Sequence, residues 1–155
     1  MCKCNTSNKT IVSENKLQDD FNIQCSGNIY HSDLSFDLNV NETRRGFMIG
    51  RWNGFKPMEG IEFPNTIVDV GVNEKDGTYD WVIEFQCIQK QTFRQKWIPF
   101  YAINFYGKRI DDPSLIARMK DSALSNGLSS FLLGDGSDLF IVDHTECKQD
   151  HGHGN

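Results

Sequence analysis

The chain has 155 residues, 38% hydrophobic and 24% charged, enough for one compact core and too few for two domains. These fractions are those of ordinary globular proteins and exclude a disordered or fibrous chain. A net charge of −5, from 16 Lys and Arg against 21 Asp and Glu, argues against nucleic acid as a partner, since the densest basic patch is only Arg44 and Arg45.

No apolar run approaches the ~20 residues of a membrane-spanning helix, and Met-Cys-Lys-Cys-Asn at the N-terminus lacks the apolar centre of a signal peptide. Other features fit an exported chain. Cys2, Cys4, Cys25, Cys87 and Cys147 lack the C-x-x-C spacing of a zinc site, and Asn5, Asn8 and Asn41 head Asn-x-Ser/Thr sequons that are candidates for glycosylation. The expected location is extracellular or an organelle lumen, with the start of a precursor missing.

From Thr10 to Gln89 the chain is a series of short runs rich in Ile, Val, Phe, Tyr and Trp, punctuated by Gly, Asn and Asp, which is the pattern of strands. The predicted strands are Thr10 to Lys16, Asp20 to Cys25, Ser32 to Val40, Gly46 to Asn53, Asn65 to Val72, Thr78 to Ile88, Ile98 to Tyr106 and Asp138 to His144, eight in all. The clearest alternation sets Leu34, Phe36, Leu38 and Val40 against Ser35, Asp37 and Asn39, a strand with one wet face. A second sets Tyr79, Trp81, Ile83, Phe85 and Cys87 on one face, and Asp76-Gly77 before it reads as a hairpin turn.

One segment breaks the strand pattern. Asp112 as N-cap, Pro113 at the first helical position and Asn126-Gly127 after the last turn bound a helix whose apolar residues Leu115, Ile116, Met119, Ala123 and Leu124 share a side. Many antiparallel strands with one late helix leave two architectures, a sandwich or a closed up-and-down barrel. Residues 1–147 form a single domain in this reading, and residues 148–155 a polar tail.

Motifs for catalysis are absent: there is no Gly-x-Ser-x-Gly, phosphate loop or Gly-x-Gly-x-x-Gly. Asp143 and His144 are neighbours, and on a strand would point to opposite faces. Asp135-Gly-Ser-Asp138 fails as a calcium loop because Leu139 and Phe140 fall at a ligand position and the turn Gly. His151 and His153 belong to the tail, and no metal or cofactor is expected.

The order Tyr101-Ala-Ile-Asn-Phe-Tyr-Gly-Lys-Arg109, Asp112-Pro-Ser-Leu-Ile-Ala-Arg-Met119, Asn126-Gly-Leu128 and Leu139 to Cys147 resembles the C-terminal third of the lipocalins, in particular the apolipoprotein D and bacterial or plant branch. Thr78-Tyr-Asp-Trp-Val-Ile83 looks like that family's preceding strand. Gly50-Arg51-Trp52 has the spelling of the family's first-strand Gly-x-Trp but stands too close to Arg109, with three evident strands between them where the family has seven. It therefore reads as a middle strand, and the first strand is missing.

The resemblance implies an all-β fold, an eight-stranded antiparallel up-and-down barrel lacking its first strand, with one C-terminal helix packed outside. It implies binding or transport of a small hydrophobic ligand, such as a fatty acid, sterol, retinoid or carotenoid-like molecule, in the barrel. The cavity candidates are Phe36, Leu38, Phe47, Trp52, Tyr79, Trp81, Phe85, Phe100 and Tyr101, whose spacing fits a solid core equally well. Arg109 would close the barrel floor, Cys147 would be tied back near Cys25, and Cys87 would pair with Cys2 or Cys4.

Two further functions fit the same fold. A lipocalin-fold enzyme acting on a bound lipid or isoprenoid would need an acid or thiol in the cup, for which Asp80 and Cys87 are the candidates. A structural subunit would use the open barrel edge to pair with a protein partner or rest on a membrane surface.

Overall fold

A computed structural model of the chain describes residues 2–41, 43–53, 59–91, 97–108, 112–133, 141–145 and 147. Seven strands, β1 (Cys2–Ser13), β2 (Lys16–Cys25), β3 (Asn28–Asp37), β4 (Phe47–Asn53), β5 (Glu62–Val72), β6 (Tyr79–Gln91) and β7 (Trp97–Gly107), precede two helices, α1 (Pro113–Ser125) and α2 (Ser130–Leu133). Each strand pairs antiparallel with the next in the order β1-β2-β3-β4-β5-β6-β7.

The sheet curls into a half-barrel. Lys9 of β1 reaches Glu84 of β6 at 3.4 Å and lies 4.6 Å from the centre of the Tyr106 ring of β7, so the two ends of the sheet face each other across the interior. β1 and β7 are not paired with each other, which leaves a seam.

Six predicted strands correspond to β2–β7 with shifted ends. Thr10 to Lys16 does not form one strand: Glu14 and Asn15 turn the chain between β1 and β2. β1 instead runs back through the polar Lys3–Lys9 stretch, where hydrogen bonds to β2 stand in for apolar alternation. The expected eighth strand, Asp138 to His144, is not observed: residues 138–140 lie outside the described part and residues 141–144 are irregular. That segment instead meets the free edge of β1. A bulge with Cys4 at φ 56° turns its amide outward to donate to the Asp143 carbonyl at 2.8 Å, and Cys4 is disulfide-bonded to Cys147.

Gly50-Arg51-Trp52 sits in β4, the fourth of seven strands, as the spacing indicated. Arg51 pairs with Asp37 at 2.6 Å and Glu62 at 2.7 Å across β3 and β5.

Two apolar clusters hold the fold. Inside, Leu34, Phe36, Met48 and Phe63 pack with Leu17, Phe21, Leu38, Trp52, Ile61 and Ile67. Outside, α1 lays Leu115, Met119 and Ala123 onto Ile83, with Trp81, Ile103 and Phe105 at the margin. The four-residue spacing of the three helical residues puts them on one face. Asp112 caps the helix by accepting from the Ser114 amide at 2.9 Å, and Ser122 donates to Asp69 of β5, fixing the helix to the sheet.

Candidate functional site

The interior has two unlike halves. On β3–β5, Phe36 and Phe63 meet edge to face with centres 5.9 Å apart, and Trp52 lies 6.0 Å from Phe63 and 6.3 Å from Phe21. Gly50 makes room for these rings, which pack with Leu34 and Met48 as the inner apolar cluster.

Towards β1, β6 and β7 the interior is polar. Lys9 donates to Asp19 at 2.9 Å and to the Ser7 hydroxyl at 2.7 Å, and Ser7 donates to both oxygens of Asp19 at 2.7 and 2.9 Å. Glu84, 1% exposed, has the Lys9 ammonium at 3.4 Å, and Asn65 lies fully buried nearby. The contact of Asn65 with Glu84 helps hold the carboxylate ionised, yet neither polar atom of the Asn65 amide completes a hydrogen bond of good geometry.

Burial raises the Glu84 carboxyl above its ordinary range, only partly opposed by Lys9, and the Asp19 charge adds to the rise. The Tyr106 hydroxyl is likewise held well above its usual range, by burial first and then by the charges of Glu84 and Asp19.

Beside this cluster the β1–β7 seam opens as a cleft of about 780 Å³. Ser7, Ile23, Val82, Asn104 and Tyr106 form its inner wall. Trp81, Ile103, Phe105, Ile116 and Lys120 lie where it wraps around β7, and Ile141, Val142 and His144 come from the C-terminal segment. A second, open groove of about 550 Å³ lies on the outer face, lined by Phe47, Pro64, Thr66, Phe85 and Cys87 below Arg44 and Arg45.

The predicted cavity residues do not converge on one cavity. Phe36 belongs to the inner apolar cluster, with Leu38 and Trp52 packed against it. Tyr79 and Trp81 line the seam cleft, while Phe47 and Phe85 line the outer groove. The side chains of Phe100 and Tyr101, and all of Arg109, His151 and His153, lie outside the described residues. Asp80 and Cys87 are in different places: Asp80 sits at the seam with Lys108 at 3.5 Å, and Cys87 faces the outer groove.

The cysteine pairing differs from that implied by the resemblance. Cys147 joins Cys4 rather than Cys25, because the C-terminal segment runs along β1, and Cys87 is a free thiol across the sheet from both. Cys25 is disulfide-bonded and lies opposite Cys2 in the β1–β2 register.

Of the three sequons, Asn8 is exposed, Asn5 is half-buried at the seam, and the Asn41 side chain accepts from Thr43. Asp143 accepts from the Thr145 hydroxyl and amide, which hold its carboxyl below the ordinary range.

Among the described residues, Asp20, His31 and Asp33 are the group whose donor atoms stand close enough for a metal. Both ring nitrogens already face a carboxylate, at 3.2 and 3.4 Å, on an exposed surface.

Lys9, Asp19, Asn65, Glu84 and Tyr106 were not among the predicted site residues. The signal was present in β6, where Asp80, Val82, Glu84 and Gln86 alternate with the apolar set, but the polar set is the one that faces in. No family model matches the chain, and no curated protein or solved structure matches it at a significant level.

Proposed function

We propose that this half-barrel is a lipocalin-like carrier that holds a small hydrophobic molecule in the seam between β1 and β7. The supporting observation is the cleft itself: about 780 Å³ where it wraps around β7, with Ile23 and Val82 on its inner side for an apolar body and a few polar groups at its inner end. Each 100 Å² of apolar ligand surface buried there contributes roughly 2.5 kcal/mol before the costs of binding. The Cys4–Cys147 bridge supports an oxidising compartment, outside the cell or in an organelle lumen.

Native mass spectrometry of protein from its own source tests the reading. A stoichiometric lipid or pigment released on denaturation supports it, and an empty monomer overturns it.

A second reading, a structural subunit, is favoured by one observation: among the described residues β7 pairs only with β6, and its other edge would offer backbone groups to a partner strand. A complex with a second chain in the same spectrum supports this reading in place of the first.

A further inference from the structure

The carrier reading leaves the buried polar atoms at the inner end of the seam without a task. In the β6–β7 register Val82 stands opposite Tyr106, and Glu84 opposite Asn104. Three of these four line the cleft, and Glu84 is the fourth corner, one residue pair further in.

Donors and acceptors around Glu84 do not balance. The Lys9 ammonium is shared among Ser7, Asp19 and Glu84 at 2.7, 2.9 and 3.4 Å, and the Ser7 hydroxyl is taken by Asp19. Apart from that long ion-pair contact, Glu84 Oε1 accepts no hydrogen bond. Asn65 Oδ1, Gln24 Oε1 and, at the cleft, Asn5 Oδ1 are also unsatisfied acceptors, against the unsatisfied donors Asn65 Nδ2, which is in contact with Glu84, and Trp52 Nε1 in the aromatic half. With Glu84 ionised, charge does not balance either, because Asp19 and Glu84 then share one ammonium at two almost fully buried carboxyls.

Resting on the carrier reading, we propose that the molecule held in the seam is an amine, with its ammonium head at the Glu84 and Asn65 end and its apolar body along Ile23, Val82 and Tyr106. An ammonium brings the second positive charge and three donors to a place where acceptors exceed donors. A fatty-acid carboxylate would bring a further acid beside Asp19 and Glu84, and an alcohol would satisfy one acceptor and bring no charge. Tyr106 already accepts one cation over its ring, that of Lys9.

The groups facing Glu84 are Lys9 from β1, Asp19 from β2, Asn65 from β5 and Tyr106 from β7. Burial favours the protonated carboxyl in the free protein, and a ligand ammonium favours the carboxylate, so affinity for an amine rises with pH until Glu84 is ionised without ligand.

The test is displacement of the neutral fluorophore N-phenyl-1-naphthylamine by octylamine, octanol and octanoate, three ligands that share a chain length. At about pH 8, where the alkylammonium keeps its proton, octylamine is expected to bind about 10-fold or more tighter than octanol, with octanoate weakest. The margin narrows as the pH is lowered, because the buried Glu84 carboxyl holds its proton more readily than an exposed one. Glu84→Gln brings octylamine to the level of octanol, and the wild-type pH series decides alone should that variant not fold. If the fluorophore binds but octylamine is no better than octanol, or its advantage survives in folded Glu84→Gln, the amine is wrong and the carrier stands. If neither the fluorophore nor any of the three binds, both fall.

Discussion

Phe63 lies across the β4–β5 register from Gly50, so close that a Cβ on Gly50 would stand 2.5 Å from the ring, with the Phe36 ring 2.8 Å away on the other side. The absent side chain is what lets two aromatic rings fill this half of the barrel. Gly50→Ala is expected to destabilise the fold by about 1–3 kcal/mol through overpacking. Urea denaturation reads this as a lower midpoint at unchanged slope, and a loss under about 0.5 kcal/mol would show that the rings move aside freely.

Lys9 is the only cation in contact with Asp19 and Glu84 among the described residues. Lys9→Met leaves two buried carboxylates without a counter-charge, an arrangement that costs about 3–5 kcal/mol. The loss should shrink in acid, where protonation removes the charges. Thermal melts at neutral and acidic pH check this, and an equal loss at both would show that Lys9 acts by packing alone.

Glu84 sets a second pH dependence of stability. Its folded-state carboxyl is raised by burial, so the folded chain holds that proton more tightly than the unfolded chain does. The associated stability is fully present below the unfolded carboxylate range and is lost as pH rises from there through the raised value. Glu84→Gln should therefore gain on the wild type as pH increases across that window. Parallel stability curves for the two proteins would contradict it.

The Cys4–Cys147 bridge spans 143 residues and ties the C-terminal segment to β1. Cys147→Ser is expected to cost about 2–5 kcal/mol. In the native, unreduced protein, iodoacetamide should label Cys87 and leave Cys4, Cys25 and Cys147 unmodified, as peptide mapping will read. Labelling of Cys147 would break the assignment.

Much of the fold was legible because it rests on local rules. Asp112, Pro113 and the Asn126-Gly127 pair mark the ends of α1 through backbone geometry and capping, which depend on neighbours in sequence, and the helix runs from Pro113 to Ser125. Alternation located most of β2–β7. It failed at β1, whose Lys3–Lys9 stretch carries polar residues on both faces and is a strand because β2 offers it a hydrogen-bonding edge.

The candidate site was less legible. Its residues are polar, belong to β1, β2, β5, β6 and β7, and come together only when the sheet curls. Nothing in the spacing of Lys9, Asp19 and Glu84 announces that they will meet.

By itself, then, the sequence determined an acidic chain of antiparallel strands with one late helix, because composition, alternation and capping act over a few residues. It also determined that Trp81, Ile83 and Phe85 share one face of β6. Only the tertiary structure decided which face is inside. Helix α1 covers the apolar one from outside, and so turns Val82 and Glu84 towards the interior. A period of two separates the faces of a strand and carries no information about which one another element will cover.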